Sequence, residues 1–98
     1  MEVHVSAHAV CRIQYHIVWS TKYRHRALDP VVFKKRTEEV IKDIASRVIG
    51  VEIVELNAQA DHVQMVAIIP PIYAVARLIE IIKEQSAKVV RKEIHWLD

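Results

Sequence analysis

The stretch ADHVQM at residues 60–65 carries two side chains that could do chemistry, His62 and Gln64, separated by one apolar residue. Successive side chains of a strand alternate between its two faces, so an extended chain would place this pair on the same face. Two imidazoles in this arrangement would make half of a metal site, whereas an imidazole and an amide indicate one less specifically. The spacing alone favours an ordinary polar pair on a solvated strand face, with a metal site as the alternative.

A second candidate is the basic stretch TKYRHR at residues 21–26. It sets one aromatic side chain among cationic ones, a combination that can bind phosphates and stack on a nucleic-acid base. A solvated loop is the alternative interpretation. The candidate DNA-binding residues of this stretch are Lys22, Tyr23, Arg24 and Arg26.

Further histidines lie toward the N-terminus. His16 falls on the polar side of a predicted strand and could share a face with His62, although an exposed histidine explains it as well. The segment HVSAHAVC, residues 4–11, has the residue types of a zinc site. Because no paired ligand set occurs elsewhere, a loose terminus that runs into a strand is the favoured interpretation.

Length and composition predict one packed domain over residues 1–98, since 52% of the residues are apolar. The formal net charge of +2 is too small to indicate nucleic-acid binding by itself. The single cysteine, Cys11, excludes an internal disulfide and favours a reducing compartment, so we expect a cytoplasmic protein. No run approaches the roughly 20 apolar residues that cross a bilayer, and no membrane partner is predicted.

The first part of the chain has a strand pattern followed by a helix pattern. Apolar and polar residues alternate over residues 10–20, which predicts a strand with one wet face. Asp29 and Pro30 then indicate a helix start, because the carboxylate can cap free amides and proline lacks a donor that would be unused there. The helix is predicted to end at Gly50, which can adopt a left-handed backbone conformation.

Two more strands and a second helix are predicted after Gly50. Residues 51–57 are strand-like, but adjacent apolar residues at Ile53 and Val54 break the alternation, which indicates either a bulge or burial on both faces. A short turn and a third strand, HVQMVAII, then predict an antiparallel hairpin. Helical spacing resumes near Tyr73, with a break indicated near KEQS.

The order strand, helix, strand, strand, helix is most of a ferredoxin-like α+β fold, in which helices cover one face of an antiparallel sheet. The final strand of that fold is missing from the pattern. We therefore expect an open sheet edge and an uncovered sheet face. A second copy of the chain could cover both, so a homodimer is predicted.

Three blocks of the sequence carry a family resemblance: YHIVWSTKYRHRAL at residues 15–28, DHVQMVAIIPPIYAVARLI at 61–79 and KEQSAKVVRKEI at 83–94. In this order and spacing they resemble the small single-tyrosine transposases of the IS200 type, the TnpA-like members of the HUH group. The resemblance implies a dimeric domain that binds single-stranded or hairpin DNA near transposon ends. It also implies cutting and rejoining of DNA through a phosphotyrosine, with the help of a divalent metal, magnesium or manganese.

The chain departs from the family pattern at the metal motif. Two histidines flanking one apolar residue hold the metal in the family, and this chain has His62, Val63 and Gln64 instead. The resemblance implies that His62 and Gln64 form the metal site. Because an amide oxygen is a weaker but acceptable ligand for a hard cation, we expect weakened metal binding, or its loss.

The second departure is at the C-terminus, where the sequence stops before the last strand and tyrosine helix of the family would begin. None of Tyr15, Tyr23 and Tyr73 matches the family's nucleophile. The sequence therefore predicts a truncated, catalytically incomplete DNA-binding relative, or a fragment of an active transposase. The alternative from another class is a non-catalytic dimeric interaction or regulatory module without nucleic acid.

Overall fold

Four strands and two helices are assigned in the computed structural model, which describes residues 1–9, 12–20, 30–59 and 61–97. The strands form one antiparallel sheet in the order β1-β2-β4-β3. The predicted ferredoxin-like α+β class is confirmed. In chain order the elements are β1 (Glu2–Ala9), β2 (Arg12–Ser20), α1 (Pro30–Ser46), β3 (Glu52–Ala58), β4 (His62–Ile69) and α2 (Val75–Leu97).

Both helices pack on one face of the sheet, and the core lies between them and alternate residues of the strands. Apolar side chains that share a strand face become inaccessible to water together when helices cover that face. The buried residues of this core are Ile17, Trp19, Val40, Ile41, Ile44, Ala45, Ala58, Val63, Met65, Ala67, Ile69, Leu78, Ile79, Ile82 and Val90.

The other face of the sheet is turned away from both helices, and we call it the open face. Its side chains are half-buried or exposed, in contrast to the core face. The central part of the open face consists of Gln14, His16 and Val18 on β2 and His62, Gln64, Val66 and Ile68 on β4.

The N-terminal strand β1 was not predicted, and the expectation of a loose terminus was wrong. β1 pairs antiparallel with β2, from Glu2 opposite Val18 to Ala9 opposite Arg12. It thus occupies the sheet edge where the missing final strand of the fold was expected. Of its residues only Val3 is half-buried, the others being exposed, so its formation depends mainly on backbone pairing with β2.

A bulge in β1 separates the two N-terminal histidines. The pairing register shifts between Val5 and Ala7, so that His4 lies opposite His16 on the open face, whereas His8 lies opposite Ile13 on the helix-covered face. A bulge adds one residue and reverses which face the following residues occupy. His4 and His8 therefore do not share a face, and Cys11 lies outside the described residues.

A second bulge resolves the broken alternation of β3. The register between β3 and β4 shifts between Ile53 and Glu55. Val54 is 48% exposed, which excludes burial on both faces. Of the two interpretations, the bulge is the confirmed one, and it returns Glu55 and Asn57 to the open face.

The ends of the helices differ from the sequence prediction. α1 ends at Ser46, before the predicted end at Gly50, and its last turn tightens through a hydrogen bond from the Arg47 amide to the Ile44 carbonyl at 3.2 Å. α2 continues through KEQS without the predicted break. Ser86 is buried there, and its hydroxyl donates to the Lys83 carbonyl at 3.1 Å. Asp29, the predicted cap of α1, lies outside the described residues.

Gly50 is the position in the fold where substitution should be most strained. Its φ is +87°, and a Cβ built on it would lie 2.7 Å from Cγ of Pro70. Gly50→Ala is therefore expected to lower the free energy of unfolding by about 1–3 kcal/mol in urea denaturation. Ile49→Ala is the control, because Ile49 is 87% exposed and should change stability by less than about 0.5 kcal/mol. Equal effects of the two substitutions would contradict the packing of this turn.

Candidate functional site

The pair His62 and Gln64 lies at the beginning of β4, on the open face. Across the sheet, His62 is opposite Ser20 and Gln64 is opposite Val18 on β2, and on the other side Gln64 is opposite Asn57 of β3. The Gln64 amide nitrogen lies 3.4 Å from Nε2 of His62. The two side chains are thus on one face and in contact, as the alternation of the sequence predicts.

Asp61, which no sequence pattern singled out, orients the imidazole of His62. Its Oδ1 lies 2.7 Å from Nδ1 of His62. An ionised carboxylate can only accept hydrogen bonds, so Nδ1 carries the proton and donates it. In the neutral imidazole Nε2 is then left with its lone pair, directed toward Gln64. A carboxylate on the far nitrogen is the usual partner of a metal-ligating histidine, because it fixes the tautomer and the ring orientation.

The contact with His62 also changes the pKa of the Asp61 carboxyl group. The hydrogen bond from His62 lowers the pKa of Asp61 below its ordinary value of 3.8, although Asp61 is fully exposed. A group whose folded-state pKa is depressed stabilises the fold above its ordinary pKa, and this contribution is lost as the pH falls through the lowered value. Asp61 is therefore ionised at neutral pH and can accept the hydrogen bond from His62.

A concavity of about 640 Å³ lies on the open face beside Gln64. His16 and Gln64 both line this concavity, so they lie near each other on the same face of the sheet, as the sequence predicts. Its lining is mainly polar, with amide, imidazole and carboxylate groups that can bind a hydrated or charged ligand. The lining residues are His16, Glu55, Leu56, Asn57, Gln64 and Val66.

Two side chains on this face could act as metal ligands. Within the described residues, no three His, Cys, Asp or Glu side chains come together as a metal-binding group. Nε2 of His62 has a lone pair that the Gln64 amide nitrogen contacts at 3.4 Å, and rotation of that amide would present an oxygen in place of the nitrogen. These two donors fit a cation that keeps several waters or takes phosphate oxygens, as Mg²⁺ does.

The predicted DNA-binding residues Lys22, Tyr23, Arg24 and Arg26 lie outside the described residues. The chain on both sides of them is described. Residues 21–29 follow Ser20, which is opposite His62 in the sheet, and precede Pro30, the first residue of α1. The basic segment is therefore connected to the end of the sheet at which His62 lies.

Two of the three tyrosines are described, and neither is on the open face. Tyr15 of β2 is opposite Ala67, which is buried beneath the helices. Tyr73 follows β4 at the other end of the strand, where its hydroxyl donates to the Ile49 carbonyl at 2.7 Å. Tyr23 lies outside the described residues. Neither described hydroxyl is positioned beside His62.

As for membrane association, α1 and α2 both lack the long apolar stretch that a bilayer-crossing helix needs.

The chain is similar to known proteins in sequence and in structure. Residues 9–98 match the family described as transposase IS200 like, so the match includes every described element except most of β1. The chain therefore belongs to the IS200-like transposase family.

Two relatives come from Deinococcus radiodurans. The ISDra2 transposase TnpA is 29% identical over 79 residues, which are 81% of this chain and 55% of the relative. The crystal structure of a protein from strain R1 described as a transposase has a TM-score of 0.70 and 27% identity, covering 90% of this chain and 66% of that one. The chain thus spans about half the length of the TnpA relative.

The contact between Asp61 and His62 can be tested by titration. His62→Ala removes the hydrogen bond that is the main cause of the lowered pKa, so the pKa of Asp61 should rise toward 3.8. The measurement is the ¹³C shift of the Asp61 carboxyl during an acid titration. His16→Ala is the matched control, since it removes an imidazole from the same face at a position opposite Val66 rather than beside Asp61. The same Asp61 pKa in wild type and His62→Ala would contradict the hydrogen bond.

Proposed function

We propose that this transposase-family chain binds single-stranded or hairpin DNA on its open face, where His62 and Gln64 hold a divalent cation, magnesium or manganese. The observation that carries the proposal is the Asp61, His62 and Gln64 arrangement, in which Nε2 of His62 keeps its lone pair and faces an amide at 3.4 Å. Bound there, the cation would polarise a phosphate oxygen and orient the phosphate.

The residues of the chain have distinct parts in this proposal. Asp61 fixes the tautomer of His62, and His62 and Gln64 provide the two protein ligands. The basic stretch with Lys22, Tyr23, Arg24 and Arg26 binds phosphates and stacks on a base near the same end of the sheet. A covalent phosphotyrosine step at this site would need a tyrosine other than Tyr15 and Tyr73, because neither lies on the open face.

We also propose that the chain acts as a homodimer in the cytoplasm. The single cysteine is compatible with a reducing compartment. The outer edge of β1 is an edge of the sheet, and a second copy could pair with it while the open face stays accessible to DNA. A species at twice the chain mass of 11.3 kDa in analytical ultracentrifugation would support the dimer, and a monomer at micromolar concentration would reject it.

Metal binding is the first test of the site. Wild-type protein should bind Mn²⁺ in isothermal titration calorimetry, and His62→Ala should abolish that binding because it removes the nitrogen ligand. Asp61→Asn should weaken Mn²⁺ binding by roughly tenfold, since a metal-ligating histidine depends on the partner that orients it. Gln64→His should strengthen binding, because imidazole is the stronger donor to a transition metal.

The control for metal binding is His16→Ala, which removes an imidazole of the open face that is opposite Val66 and is not one of the two proposed ligands. This variant should bind Mn²⁺ as the wild type does. Equal Mn²⁺ affinity in wild type and His62→Ala would reject the proposed metal site.

DNA binding is the second test, measured by mobility shift on a hairpin, a linear single strand and a duplex. The hairpin should bind most tightly, and Arg24→Ala or Arg26→Ala should each weaken it at low salt. Each substitution should also reduce the slope of log affinity against log salt by about 0.7, the value for one phosphate contact on a single strand.

Arg47→Ala is the control for the loss of charge, because the Arg47 guanidinium, just after α1, pairs with Asp43 of that helix at 2.9 Å. It should leave the salt slope unchanged. Unchanged hairpin affinity in both Arg24→Ala and Arg26→Ala would reject those contacts. Indifference of the wild type to all three DNAs would instead favour the interaction module without nucleic acid.

A further inference from the structure

Lys34 is a cation of α1 that reaches the open face. Its ammonium lies 2.7 Å from Oδ1 of Asn57, although α1 packs on the opposite side of the sheet. β3 is an edge strand, and the lysine side chain is long enough to extend around this edge. Asn57 is directly opposite Gln64, so the contact brings a positive charge next to the proposed metal site.

The contacts around Lys34 leave its charge available to a ligand. Glu38 is one turn along the helix, but its Oε2 lies 4.0 Å from the ammonium and accepts a hydrogen bond from the Ala58 amide at 3.0 Å. Oδ1 of Asn57 also accepts from Gln59 at 3.0 Å, which holds the amide in place. An ammonium has three donors, and the Lys34 side chain is 47% exposed.

Two described arginines, Arg36 of α1 and Arg47 directly after it, are engaged elsewhere. Arg36 pairs with Glu39 at 3.3 Å, and Arg47 pairs with Asp43 at 2.9 Å. All four of these residues line the groove between α1 and α2, on the helix side of the sheet. In the sequence, Lys34, Lys35 and Arg36 form one basic run. In the structure, Lys34 contacts Asn57 of β3, whereas Arg36 contacts Glu39 on the helix side.

We propose that Lys34 is a phosphate-binding residue of the open face, positioned by Asn57 to contact the backbone of a DNA strand that passes over His62 and Gln64. The inference rests on the proposed function and adds a specific contact to it. A phosphate bound by Lys34 would lie at the β3 edge, next to one held through the cation. An ammonium binds phosphate as a point charge, and each such contact releases a counterion from the DNA.

The test is fluorescence anisotropy with a labelled DNA hairpin that carries a single-stranded tail, titrated at several salt concentrations. Lys34→Gln should weaken binding at low salt and reduce the salt slope by about 0.7. Lys34→Arg should restore the slope, because it keeps the charge. Lys35→Gln is the matched control, with the same change of charge one residue along the helix, and should leave the slope nearly unchanged.

Asn57→Ala separates phosphate binding from a structural role. If Lys34 binds phosphate, this variant keeps the charge and the salt slope but loses part of the affinity. A purely structural role for the contact predicts instead that Lys34→Gln and Asn57→Ala lower the melting temperature and weaken DNA binding equally, with the slope unchanged. That result would overturn the proposal.

The proposed function can fail separately from this inference. If the wild type binds the hairpin and Lys34→Gln behaves as Lys35→Gln does, the Lys34 contact is rejected and the DNA-binding function stands. If the wild type does not bind the hairpin, both are rejected. Mn²⁺ binding without DNA should be retained in Lys34→Gln and lost in His62→Ala.

Discussion

Burial of every second residue of β4 is the constraint on which the candidate site depends. Val63, Met65, Ala67 and Ile69 are each at most 1% exposed, packed beneath the helices. A slip of one residue in the register would expose all four and turn the polar side chains of His62 and Gln64 toward the helices, together with Val66 and Ile68. Since fully burying one such apolar side chain contributes about 1.5–3 kcal/mol, the slipped register is strongly disfavoured. His62 and Gln64 are therefore held on the open face by the core rather than by their own contacts.

The sheet neighbours of β4 then determine what surrounds the pair. β2 contributes Ser20 and Val18 on one side, and β3 contributes Asn57 on the other because the bulge at Val54 restores its alternation. Asp61 comes from the turn that precedes β4 and holds the outer nitrogen of the imidazole. The candidate site thus combines the proposed ligand pair, whose face is fixed by the core, an orienting carboxylate from a turn, and a cation from the first half of α1.

The sequence predicted the structure best where buried and exposed residues alternate regularly along a strand. The alternation of β2 and β4 predicted the shared face of His62 and Gln64, and two adjacent apolar residues indicated either a bulge in β3 or burial on both of its faces. β1 was missed because its side chains are almost all exposed, so that its sequence carries no clear burial pattern. The break expected in α2 did not occur, because the buried Ser86 satisfies its hydroxyl within the helix.

The contacts around the site could not be predicted in the same way. The role of Asp61 depends on a turn geometry that places Oδ1 within 2.7 Å of Nδ1 of His62. The contact of Lys34 with Asn57 joins residues 23 positions apart and requires α1 to lie beside the β3 edge. Neither contact produces a periodic pattern of apolar residues in the sequence. The parts of a site that a single sequence reveals are those on one element, and the partners from neighbouring elements require coordinates.

The most direct measurement of the central claim is paramagnetic broadening by Mn²⁺ in a ¹H–¹⁵N correlation spectrum of the wild-type protein. At substoichiometric Mn²⁺, the account predicts that the first resonances to broaden are those of residues 61–64 together with their sheet neighbours Ser20 and Asn57. Broadening centred on other carboxylates, such as Glu39 and Asp43 in the groove between the helices, with residues 61–64 unaffected, would contradict it.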